Sequence, residues 1–133
     1  MGAENFFLFG MTAEEAEARR AIPGHAAAAI AGSARLKSAL DAIAKGVFCP
    51  SEPGRYAHIV ANLTEADYFL VASDFEDYWR AQREVDTAYA DRDLWTRMAA
   101  LNTARSGWFS SDRTIRGYMA DIWDARSALE NAV

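Results

Sequence analysis

The sequence predicts a mainly α-helical chain with two short strands, and three observations carry that expectation. Two capping-box patterns, Thr12 with Glu15 and Ser73 with Glu76, stand ahead of stretches rich in helix formers. Most of the remaining apolar residues recur at helical spacing. Two runs do not: Phe6, Phe7, Leu8 and Phe9 follow one another without a polar break, as do Tyr68 to Ala72, "YFLVA". Consecutive apolar residues of this kind suit a strand buried on both faces.

In chain order, "NFFLFG" reads as the first strand, broken by Gly10. Thr12 to about Ala21 is the first helix, closed by Pro23 and Gly24. "HAAAAIAGSARLKSALDAIAKG" has high helix propensity and places Ile30, Leu36, Leu40 and Ile43 near helical period. Gly32 and Ser33 split it, Ser33 caps the second piece, and Gly46 stops it. "FCPSEPGR" is a turn. A helix from about Gly54 to Asn62 follows, turning Tyr56, Ile59, Val60 and Leu63 inward. After the second strand, Ser73 and Glu76 open a helix with a partly polar stripe, Phe75, Trp79, Gln82 or Arg83, Asp86 and Tyr89, beside Val85. Asp91 caps the next, with Leu94, Trp95, Met98 and Leu101 on one face and Gly107 at its end. Ser110, Ser111 and Asp112 offer caps for the last, which carries Ile115, Tyr118, Met119 and Ile122. The inventory is about six helices and two strands. Two strands so far apart in sequence leave unpaired edges, so their neighbours are expected to lie outside this chain.

With 133 residues, 51% hydrophobic and 25% charged, the composition is that of an ordinary globular protein. A formal net charge of −5 argues against a broad basic surface for nucleic acid or anionic lipid. The single Cys49 cannot form an internal disulfide, and no run of about 18 apolar residues is present to span a membrane. The expectation is a cytoplasmic protein with no nucleic-acid or membrane partner.

Three segments, in this order, carry a family resemblance: "GAENFFLFGMTAEE", "DYFLVASDFEDYWRAQREVDTAYADRDLWTRMAALN" and "SGWFSSDRTIRGYMADIW". The most specific piece is "FSSDRTI", Phe109 to Ile115, supported by "WTRM" at Trp95 to Met98 and "NFFLFG" at Asn5 to Gly10. Together they closely resemble the C-terminal portion of the α-glucan phosphorylases, the glycogen, starch and maltodextrin phosphorylase family. The resemblance covers Gly2 to about Asp124. It departs between Ile22 and Ser33, where "IPGHAAAAIAGS" replaces a pattern that usually carries tyrosines, and at Trp108, where lysine is common.

The resemblance implies a GT-B type α/β (Rossmann-like) glycosyltransferase fold, of which this chain would be the truncated C-terminal part. Residues 1–133 would form a single partial domain, the end of the cofactor-bearing domain, with 126–133 a disordered or frayed tail. "NFFLFG" would be one strand of a parallel sheet whose neighbours lie upstream, making the chain a truncated product, an incomplete gene or an internal start. The family reaction moves a terminal glucosyl unit from an α-1,4-glucan to inorganic phosphate, giving glucose 1-phosphate, and uses pyridoxal phosphate on a lysine. The family's enzymes are expected to be homodimers. The Gly-Thr-Gly-Asn-Met-Lys motif that carries the lysine is absent here, so the expectation is a scaffold segment with no catalytic, cofactor-binding or metal residues, inactive alone.

The residues themselves agree with that expectation. Lys37 and Lys45 read as solvated helix lysines. Ser110, Ser111 and Asp112 read as caps rather than an anion site. Cys49 and His58 lack an orienting third group, so neither they nor Ser111 make a convincing hydrolase, and His25 beside Gly24 reads as loop. Glu14, Glu15, Asp91 and Asp93 are helix-start charges, and the two histidines match no metal-ligand spacing. Trp79, Tyr89, Trp95, Trp108 and Trp123 could stack sugars, but at helical spacing they read as packing residues. The rival reading is an autonomous helical interaction module that keeps this scaffold and binds a partner through exposed apolar surface.

Overall fold

The computed structural model describes residues 2–125, and among them seven α-helices and no strand are formed. The helices are α1 (Ala13–Arg20), α2 (His25–Gly32), α3 (Ala34–Ala44), α4 (Ala57–Glu65), α5 (Val71–Ala90), α6 (Arg92–Arg105) and α7 (Ser111–Tyr118). Short 3-10 turns occupy Ala3–Asn5 and Ser106–Phe109, and a π turn, Met119–Trp123, continues α7. The expected tail lies at 126–133, outside the described residues. Contacts divide the chain into two compact units, Leu8–Asp86 and a second made of Met1–Phe7 with Thr87–Val133.

The caps legible in the sequence form at four of these starts. Thr12 and Glu15 make a complete capping box on α1, while Ser33, Asp91 and Ser110 each accept a backbone N–H at the start of α3, α6 and α7. The split between α2 and α3 falls at Ser33 as expected. Gly46 takes a left-handed φ of 70° after α3, and the Cβ of any other residue there would lie 2.5 Å from the Pro53 backbone.

The expectation of two short strands is overturned at both places. Phe6 is extended (φ −149°, ψ 163°), yet no ladder partner exists among the described residues. Side chains from the helices satisfy this backbone instead. Within the Leu8–Asp86 unit, the Gly10 N–H donates to Asp77 at 2.8 Å, the Met11 N–H donates to Asp74 at 3.2 Å, and Arg80 donates to the Leu8 carbonyl at 3.3 Å. Within the other unit, Asn102 donates to the Asn5 carbonyl. An isolated extended run keeps its polar groups paired this way without a sheet, but Leu8 and Phe9 stay exposed.

The second expected strand is a turn that becomes a helix. Asp67 and Leu70 take left-handed φ values of 39° and 59°, and α5 begins at Val71. The Asp67 carboxylate accepts from the Ala72 N–H at 3.1 Å and the Ser73 N–H at 3.3 Å, doing for α5 what Ser73 was expected to do. Ser73 therefore lies inside the helix, and Glu76 accepts from Ser33 and Arg35 rather than closing a capping box.

In the Leu8–Asp86 unit the core is Leu36, Leu40 and Ala72, with Ala29, Ile30, Leu63 and Phe75 packed against it. It joins α2, α3 and α4 to the first turns of α5. Along α5 the buried positions are Ala72, Ala81 and Ala88, whereas Trp79 and Tyr89 from the expected stripe are exposed. Of these, Ala72 packs with Leu36 and Leu40. Ile59, expected inward on α4, is also exposed. In the other unit Met98 of α6 is buried and Phe7 stacks on Trp95 with ring centroids 6.4 Å apart.

Candidate functional site

Several residues singled out from the sequence have local structural partners. Lys37 pairs with Asp41 one turn away, 2.9 Å between Nζ and Oδ2, on the exposed face of α3. The hydrogen bond from Lys37 holds the Asp41 carboxyl below its ordinary range, with Lys45 adding a weaker attraction. Lys45 itself is the C-terminal cap residue of α3, where a cation suits the helix dipole. Glu14 and Glu15 lie in the first turn of α1, and Asp93 in the first turn of α6.

Ser110 accepts from the Arg113 N–H at 3.3 Å, and its carbonyl accepts from the Thr114 hydroxyl at 3.2 Å. Arg113 turns back to the preceding turn: it donates to the Trp108 carbonyl at 3.0 Å and lies 3.4 Å from the Trp108 ring centroid. Trp108 thus presents its face to a cation. Ser111 and Asp112 occupy the first turn of α7.

Cys49 and His58 are not brought together by any hydrogen bond among the described residues. The Cys49 thiol is half-buried and 3.9 Å from the Ser51 hydroxyl, while His58 is exposed on α4. His25 is the first residue of α2 rather than loop, with Nδ1 buried and lacking a hydrogen-bond partner. No group of three or more His, Cys, Asp or Glu side chains that could hold a metal ion occurs among the described residues. Nor does any helix among them have the length and apolar character to cross a membrane.

The aromatic residues divide by environment. Trp79 is held between two guanidinium groups, Arg35 at 5.2 Å and Arg83 at 4.6 Å from its ring centroid. Tyr89 and Trp95 meet edge to face at 5.1 Å, and Tyr118 and Trp123 at 5.7 Å. Open grooves occur among the described residues. One runs along α7 past Arg113, Arg116, Tyr118 and Asp121; another, of about 200 Å³, is lined by Tyr89, Arg92, Trp95 and Thr96.

Two polar clusters escaped the sequence reading: Asp67 at the start of α5, and Asp77 with Arg80 around the backbone of Leu8 and Gly10. The Gly10 N–H first, and Arg80 second, hold the Asp77 carboxyl below its ordinary range. Local pattern could have suggested Asp77 with Arg80 as an i, i+3 pair. Nothing local points to a backbone partner 67 residues away.

These polar groups cap helices, pair across turns and hold backbone, and the class that the fold defines is a helical protein over its described residues. The carbohydrate phosphorylase family model matches residues 1–125, and the chain belongs to that family. It is 43% identical to the glycogen phosphorylase of Synechocystis sp. over 123 residues, 92% of this chain and 14% of the relative. The human glycogen phosphorylase, brain form, is 41% identical over 122 residues, again 92% of this chain and 14% of the relative. The chloroplastic/amyloplastic α-1,4 glucan phosphorylase L isozyme of Ipomoea batatas is 41% identical over 130 residues, 93% of this chain and 13% of the relative. The chain therefore spans about one seventh of the length of the curated relatives it matches.

Proposed function

We propose that this chain serves an α-1,4-glucan phosphorylase as a structural segment: it supplies helices and buried surface, and none of the groups that transfer glucose. The full enzyme in this reading transfers a terminal glucosyl unit from an α-glucan to inorganic phosphate, giving glucose 1-phosphate. Homodimers, a cytoplasmic location and a single partial domain over 1–133 belong to the same reading. The observation that carries it is the family match over 1–125, taken with polar side chains engaged in caps and ion pairs.

Pyridoxal phosphate, implied for the full enzyme, finds no fit among these residues. Its aldehyde needs a lysine and its phosphate needs converging cations and backbone N–H groups. Lys37 is spent on Asp41 at an exposed helix face, Lys45 stands at a helix end, and neither lines a groove described above.

The test is to supply the purified chain with pyridoxal phosphate, glycogen and phosphate. The expected result is no aldimine absorbance and no glucose 1-phosphate. Phosphorolysis by the chain alone would overturn the proposal.

The interaction-module reading keeps one observation in its favour, the exposure of Leu8, Phe69, Ile122 and Trp108, each above 60%. It requires a monodisperse, cooperatively folded chain.

A further inference from the structure

We draw no further inference here: the strongest candidate, the exposed apolar side chains of α7 and the π turn that continues it, Ile115, Tyr118, Ile122 and Trp123, carries nothing because nothing in the structure shows what covers them.

Discussion

Asp67 is only 1% exposed, holds a left-handed backbone and accepts from two N–H groups at the start of α5. Removing its side chain orphans those donors in a buried place. Asp67→Ala is expected to cost about 2 kcal/mol, and Asp67→Asn less, because asparagine keeps an acceptor and tolerates left-handed φ. Thermal unfolding of the two variants checks the order. Asp77 gives a pH signature. Its folded pKa is lowered from 3.8 by the Gly10 N–H and then Arg80, so its stabilisation is complete above that value and is lost as pH falls through the lower folded one. Asp77→Asn should therefore flatten part of the loss of stability in acid below about pH 4, as read by the midpoint of thermal unfolding against pH.

At the scale of elements, α5 shows how small residues decide a buried face. Ala81 has no exposed surface, whereas Trp79 two positions earlier is 37% exposed and flanked by Arg35 and Arg83. Enlarging the alanine forces its neighbours apart. Ala81→Leu is expected to destabilise by about 1–3 kcal/mol through overpacking, while Trp79→Ala, which removes exposed cation–π contacts, should cost about 1 kcal/mol. Denaturant midpoints at unchanged slope measure both. The reverse order would mean that the aromatic stripe, not the alanine face, carries α5.

For the molecule as a whole, the described residues bury few large side chains and expose many. The buried apolar set contains three leucines, one methionine and four alanines. Exposed in the Leu8–Asp86 unit are Phe9 and Tyr78, which meet edge to face at 5.1 Å, and in the other unit Tyr118 and Trp123. Apolar surface of this extent drives association in a chain without partners. The purified chain is expected to unfold over a broad range, to bind a hydrophobic dye and to scatter light increasingly with concentration. A sharp reversible transition from a monodisperse species would favour the interaction-module reading instead.

The helical class, the caps at Thr12, Ser33, Asp91 and Ser110 and the family were legible from residue order, because capping and periodicity act over three or four positions and a motif is a property of sequence. Candidate residues such as Lys37 and Ser110 were legible too, since their partners lie within one helical turn. The strands were misread because an apolar run reports only that burial is available; whether it pairs depends on a neighbour that local pattern does not contain. Tertiary structure decided that Asp77 and Arg80 hold the backbone of Leu8 and Gly10, that alanines line the buried face of α5, and that Tyr89 and Arg92 edge one groove. Each of these depends on which surfaces meet, and packing chooses among amphipathic faces by fit in three dimensions, not by spacing along one helix.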